Sequence, residues 1–471
     1  MGEKSGICPL PPVNQTQEYK GGFAKVNTPI CDFVKKYADS ESARFHMPGH
    51  KGKSFLGLEK LDITEFDGAD VLYSANGIIK ESMENASLLF ETGKTLYSTE
   101  GSSLSIRAML YLAVLYAKQN GKKPIIAAFR NVHKAFVSAA ALLDFDVEWI
   151  YPKDNEGIIS CLVSPEELEE ALCTLDEMPT ALYVTSPDYL GNIQDIYGFS
   201  QICKKYGILL LVDNAHGAYL KFLPKDIHPI TLGADICCDS AHKTLPVLTG
   251  AGYLHISKKA PLLLYENAER AMSLFASTSP SYLILQSLDA ANKYISENYK
   301  TSLYDACNNT EKAKRILSYN GYTVIGTEML KITLSTKHYG YSGTMISKIL
   351  ASKGIVCEFC DNDYIVFMTT PENSGHLDKL TGALLSIEKR PSTDEKASPR
   401  SIPQKKLSIR QAMFSTRKIT SVKDSAGQIF ADTSFGCPPA IPVIISGEVI
   451  DENTIKLFEY YGIENCFVVK E

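Results

Sequence analysis

The sequence predicts an α/β fold: a mostly parallel central sheet with helices on both faces, plus smaller C-terminal α/β domains. Two observations carry that expectation. From about Pro124 onward, short apolar or β-rich runs recur: PIIAAF, VEWIY, ALYVTS, ILLLVD, ADICCDS and AGYLHI, with helical patterns and turn residues between them. Such strand-helix-strand repeats need crossover connections, which leave the strands parallel and covered on both faces. The second observation is size. With 471 residues, 45% hydrophobic and 22% charged, the chain can bury one large core and one or two smaller ones.

Taken in order, residues 1–40 are polar and punctuated by Pro and Gly, and read as an N-terminal arm. Residues 41–300 form the large domain. Within it one helix start is unusually legible: Ser164 as N-cap, Pro165 at the first helical position and Glu167 completing a capping box before LEEAL. Residues 301–388 read as a smaller α/β unit, with VIGTEMLKITLST and YIVFMTT as strands. The charged, Pro/Ser-rich stretch 389–406 reads as a linker, and 407–471 as a C-terminal domain.

Bulk properties narrow the partners. A net charge of -6 gives no reason to expect nucleic acid or an anionic membrane. No apolar run approaches the roughly 20 residues of a bilayer span, and MGEKSGICPLPPVNQTQEYK lacks the apolar core of a secretory signal. The expectation is a cytoplasmic protein. Its twelve cysteines follow no short-period framework and read as reduced thiols. Cys237 and Cys238 sit in an apolar run and read as core. Cys357 and Cys360 form a lone CxxC without a second pair, so no metal is expected.

The chemistry concentrates between Leu209 and Thr244. Asp213 ends ILLLVD, and Lys243 follows ADICCDSAH thirty residues later. A lysine beyond a buried strand has a desolvated amine suited to a Schiff base with an aldehyde cofactor. An aspartate at the edge of a parallel strand can keep the cofactor's ring nitrogen protonated. Pyridoxal 5'-phosphate (PLP) needs two further groups, and candidates precede these in order. Gly101, Ser102 and Ser103 open a helical run and can meet a phosphate at a helix N-terminus. His133, in RNVHK, can lie flat on the ring. Ala215 leaves room for the ring, His216 can reach its phenolic oxygen, and Ser240 and His242 are phosphate donors beside Lys243.

Beyond these four groups the chain resembles the Orn/Lys/Arg decarboxylases, in their short Gram-positive form, from about residue 40 to the C-terminus. The resemblance lies in RFHMPGHKG (Arg44–Gly52), DITE (Asp62–Glu65), EGSS (Glu100–Ser103), RNVHK (Arg130–Lys134), TSPDYLG (Thr185–Gly191), VDNAHGAY (Val212–Tyr219), DSAHKTLP (Asp239–Pro246), STSPSY (Ser277–Tyr282) and CPPAIPVIISGE (Cys437–Glu448). It implies the PLP-dependent aspartate-aminotransferase-like fold (fold type I) and α-decarboxylation of arginine, lysine or ornithine to CO2 and a polyamine-pathway amine. Lys243 would be the Schiff-base lysine, Asp213 the ring-nitrogen partner and His133 the stacking residue, with Ser102, Ser103, Ser240 and His242 on the phosphate. The active site would lie at the interface of a homodimer or higher homo-oligomer, with Ser277 and Thr278 supplied to the partner's cofactor and Glu448 approaching the distal cationic end of the substrate.

The chain departs from the family pattern at several positions. Asn214 replaces the glutamate of DEAHGAH, Tyr219 its final histidine, and Asp239 the glutamine of QSTHKT. Cys437 and Ala440 alter YPPG, and Ser446 alters PGE. None of these removes a cofactor group. The competing reading within enzymes is a PLP-dependent aminotransferase or lyase on the same fold, which an Arg410 clamp on the substrate carboxylate would favour. Pairing of Arg410 with a carboxylate between domains is the simpler alternative. From another class comes a binding protein that keeps the fold without turnover, against which Lys243 and Asp213 argue.

Overall fold

The structure is a computed structural model that describes residues 25–153, 159–393, 397–398, 400–433 and 441–470. Its centre is a seven-stranded sheet of β1 (Lys94–Ser98), β2 (Ile125–Phe129), β3 (Asp146–Ile150), β4 (Ala181–Thr185), β5 (Leu209–Asp213), β6 (Ile236–Asp239) and β7 (Gly252–Ile256), in the order β1-β7-β6-β5-β4-β2-β3. The pairings among β2 to β6 are all parallel, and β7 runs antiparallel to both β6 and β1. Side chains alternate between two cores. Leu209 and Leu211 of β5 join one, while Leu210 and Val212 join the other. Both faces are therefore apolar, so the strand reads as a continuous run.

This topology brings the chemistry to one edge. Parallel strands present their C-terminal ends together, where α/β sheets bind ligands. Asp213 ends β5, Ser240 follows β6 and His133 lies just past β2. The helix Gly101–Gln119 starts after β1, which has the same direction as β6 because β7 lies antiparallel between them.

A second sheet, β8 (Thr323–Ile325), β9 (Lys331–Ser335), β10 (Phe359–Cys360) and β11 (Tyr364–Met368), is antiparallel throughout in the order β10-β11-β9-β8. Its core joins Leu334 and Ile365 to Leu317, Ile346 and Leu384 from three helices. Near the C-terminus β12 (Arg417–Ser421) pairs with β13 (Asn465–Val469) beside the helix Glu452–Tyr460. The capping box expected at Ser164 and Glu167 is formed.

Four features differ from the sequence reading or were not read from it. Residues 29–38 of the presumed arm form a helix, docked through buried Ile30 and Val34. The N–H groups of Ile30 and Cys31 donate to buried Asp289 at 3.0 and 2.9 Å, supplying the cap that Thr28 does not; residues 1–24 lie outside the described residues. Strand β1 escapes the apolar pattern because its polar Thr95 is satisfied inside, against His255 Nδ1 at 2.9 Å. VIGTEMLKITLST is two strands rather than one. Gly326, at φ +80°, turns the chain so that Thr327 and Glu328 N–H reach the Gly191 carbonyl at 2.7 and 2.8 Å. A Cβ at Gly326 would lie 2.4 Å from the Leu190 carbonyl oxygen, so only glycine fits. The described part of 389–406 is partly seated: Arg400 is buried, and Lys406 N–H donates to the Gly447 carbonyl at 2.8 Å.

Candidate active site

Lys243 lies in a single-turn helix, Ala241–Thr244, directly after β6. Its Nζ is 3.0 Å from His216 Nε2. Burial, ahead of the neighbouring charges, pulls its pKa below the ordinary lysine value, with the carboxylate of Asp213 opposing. Asp213 is buried and accepts from Tyr183 Oη at 2.9 Å and from Ala215 N–H at 3.2 Å. Burial holds its carboxyl above the usual range, and these donors and Lys243 pull it back. Here is a desolvated amine beside a buried acid that a cationic partner would ionise.

His133 caps the helix Lys134–Leu143 by accepting from Ala135 N–H at its Nδ1, 3.1 Å away. Nε2 therefore carries the single proton of a neutral ring, and desolvation followed by the charge of Lys243 depresses its pKa to about 3. Ser240 Oγ donates to Ser102 Oγ at 2.7 Å, tying the turn after β6 to the first turn of the 19-residue helix Gly101–Gln119, in which Ser103 also lies. Gly252 permits that approach: a Cβ there would sit 3.1 Å from Gly101 C and 3.0 Å from the Asp239 carbonyl oxygen. His242 spends Nδ1 on the Ala251 carbonyl at 2.9 Å and lies beside Gly101.

A helix N-terminus, two hydroxyls and an imidazole at one end, and an amine and an acid at the other, match the donor set that PLP requires. The residues present therefore fit that cofactor.

Two departures from the family pattern prove to be one feature. Asn214 Nδ2 donates to Asp239 Oδ1 at 2.7 Å. The family's acid at 214 and amide at 239 have exchanged places, leaving one carboxylate and one amide in contact. Asp239, fully buried, also meets His228 Nε2 at 3.2 Å and His255 Nε2 at 3.1 Å through Oδ2, and these two neighbours hold its pKa below the usual range despite burial. Among the described residues this is the one His/Asp group compact enough to hold a metal. His228 Nδ1, however, accepts from Ile230 N–H at 3.4 Å, so its proton is on Nε2, where a metal would bind. The cluster is a hydrogen-bond network. Tyr219, replacing the family's histidine, is buried and accepts from Met329 N–H at 3.2 Å.

Several expected residues stand elsewhere. Glu448 is buried with Arg130, Oε2 to Nη2 2.7 Å, and its Oε2 also accepts from Ile445 N–H at 2.8 Å. Within one chain this carboxylate therefore pairs with Arg130. Ser277 and Thr278 are exposed, and Ser277 N–H donates to Glu100 Oε1 at 2.7 Å. Arg410 donates to the Ala141 and Leu142 carbonyls at 2.9 and 3.2 Å, close to Asp144, so it binds a helix end rather than a substrate carboxylate. Cys237 and Cys238 are core, and Cys357 is a part-buried thiol 3.3 Å from Ser347 Oγ. Cys437 and Ala440 lie outside the described residues.

Sequence reasoning missed three groups. Tyr183 was hidden as an ordinary strand residue. Lys331, 2% exposed at the start of β9, reaches His216 Nδ1 at 3.3 Å and Glu328 at 2.9 Å. Glu358, exposed before β10, accepts from Tyr189 Oη at 3.0 Å, and its charge reaches both Lys243 and His242. A lysine opening an apolar strand was the signal available for Lys331.

Residues 28–333 match the family model described as Orn/Lys/Arg decarboxylase, major domain. The chain belongs to this family. It is accordingly an amino-acid decarboxylase dependent on PLP. An arginine decarboxylase of Bacillus subtilis is 29% identical over 465 residues, covering 91% of this chain and 92% of the relative, and one from Halalkalibacterium halodurans is 29% identical with the same coverage. Among solved structures, lysine decarboxylase A from Pseudomonas aeruginosa superposes with a TM-score of 0.78 at 16% identity, over 94% of this chain and 80% of that one. The fold-type-I expectation is met. Decarboxylation, rather than transamination or binding without turnover, is what family membership supports.

Proposed function

We propose that this member of the family decarboxylates a basic amino acid, with Lys243 as the imine-forming lysine. The observation that carries the assignment is the buried Lys243 amine, 3.0 Å from His216 and under the field of Asp213, at the C-terminal edge of the sheet. When bound, PLP supplies an electron sink for the pair left on Cα as CO2 departs. Asp213 holds a proton at the ring nitrogen, and Tyr183 orients that carboxylate. His133, neutral, would stack on the ring. Ser102, Ser103, Ser240 and His242 hold the phosphate, with Ser277 and Thr278 offered to the partner's site in a homodimer. We assign the distal cation of the substrate to Glu358, an exposed carboxylate whose charge reaches Lys243 and His242, ahead of Glu448, which pairs with Arg130. Arg410 is likewise engaged elsewhere, which removes from that position a clamp that would stabilise the carboxylate to be lost. No helix among the described residues is long and apolar enough to cross a membrane, and a cytoplasmic enzyme is part of the same reading.

Incubation with arginine, lysine and ornithine, with product analysis, tests the proposal. Release of CO2 with agmatine or a diamine supports it. A keto acid, or turnover confined to amino acids without a distal cation, would sink it.

A further inference from the structure

Lys331 belongs to the antiparallel sheet rather than to the cofactor strands, yet it is the second lysine of the site. Its buried Nζ meets three groups: Glu328 Oε2 at 2.9 Å, the Asp188 carbonyl at 3.3 Å and His216 Nδ1 at 3.3 Å. The first is an ion pair, the other two are hydrogen-bond contacts, and an ammonium has N–H donors but no acceptor. The third one decides the state of His216. Nδ1 must accept, and the single proton of the neutral ring therefore sits on Nε2. That N–H points at Lys243 Nζ, 3.0 Å away. For this contact to be a hydrogen bond, Nζ must offer a lone pair, which only the neutral amine has.

We propose that Lys331, anchored by Glu328, is a positioning residue that sets the His216 tautomer and so keeps Lys243 as the neutral, nucleophilic amine. The proposal rests on the reading of Lys243 as the imine-forming lysine and deepens it. Burial, together with the cation of Lys331, favours an uncharged His216, in agreement with this arrangement. The charged and titratable groups facing Lys243 are Asp213 from β5, Cys238 from β6, His133 before the helix Lys134–Leu143, His216 after β5, His242 beside it, Glu358 before β10 and Lys331 from β9. Lys331 in turn is faced by Glu328, by the buried Asp188 carboxylate, by the Tyr189 ring, and by Lys314, whose Nζ donates to the Glu328 carbonyl.

The test is the pH dependence with which the cofactor-free full-length chain condenses with added PLP, in which the Nζ lone pair adds to the aldehyde carbon and water is lost, followed by visible absorbance. Lys331→Met removes a cation and frees the tautomer, so the midpoint should rise by about one pH unit. Lys331→Arg retains a cation and should stay near wild type. Glu328→Gln removes the carboxylate in contact with the cation, leaving only Asp188 to offset it, and should lower the midpoint, which keeps the test decisive if Lys331→Met does not fold. A wild-type midpoint shared by Lys331→Met, or a midpoint unchanged or raised in Glu328→Gln, overturns the inference alone. A wild-type chain that forms no band, or a band that persists in Lys243→Ala, overturns the reading of Lys243 and the inference with it.

Discussion

Replacing Asn214 by Asp places a second carboxylate against Asp239, in a site with no solvent access. The present contact is 2.7 Å, from the Asn214 amide to an oxygen whose carboxylate also serves His228 and His255. Two carboxylates at that distance cannot both ionise, so one retains a proton. Holding a carboxyl of unfolded pKa near 3.9 protonated at pH 7 costs about 4 kcal/mol, at 1.36 kcal/mol per pH unit. At pH 5 the same cost is about 1.5 kcal/mol. The retained proton belongs to a group whose folded pKa is raised. Its stability contribution is therefore complete below the unfolded pKa and is lost as pH rises towards the folded value. The double variant Asn214→Asp/Asp239→Asn restores one acid and one amide in the family's orientation, and should recover most of the loss. Urea unfolding of the three variants and wild type at pH 7 and pH 5, read by circular dichroism, measures the coupling. A double variant whose destabilisation equals the sum of the singles within about 0.5 kcal/mol would refute the exchange argument. So would a loss in Asn214→Asp that ignores pH.

Three further outcomes are expected. Glu358→Gln should raise KM for the basic amino acid by about tenfold or more, the worth of a charge-assisted hydrogen bond, with kcat little changed; steady-state kinetics with an uncharged-side-chain amino acid as comparison checks this. Gly447→Ala should cost at least about 2 kcal/mol, because residue 447 has φ +94° and a Cβ there would sit 2.3 Å from the Leu407 carbonyl oxygen; a thermal melt reads it. Arg410→Ala should lose about 1 kcal/mol of stability from its bonds to the helix end, while kcat/KM stays at wild type; a large fall in kcat/KM without a fall in stability would return Arg410 to the active site.

The strands of the large sheet could be read from the chain because residues such as Leu209 to Val212 are apolar on both faces, and periodicity reports burial directly. The ends of those strands could also be read, and with them the positions of Asp213, His133, Ser240 and Lys243, since parallel strands must deliver their C-terminal edges to one place. Burial pattern is silent where a polar group is satisfied by something distant in sequence. Thr95 in β1 needs His255, and the helix at Pro29 needs Asp289. Likewise the substitutions at 214 and 239 look unrelated until β5 and β6 pair and put the amide on the acid. The fate of Glu448 depended on Arg130, more than three hundred residues earlier, and no spacing announces a salt bridge of that kind. Composition and pattern alone determined the fold class and the cofactor chemistry. Only the tertiary structure decided which charges are spent on one another, as Arg130 and Glu448 are, because hydrogen bonds and ion pairs depend on ångström-scale approach between segments that sequence does not place.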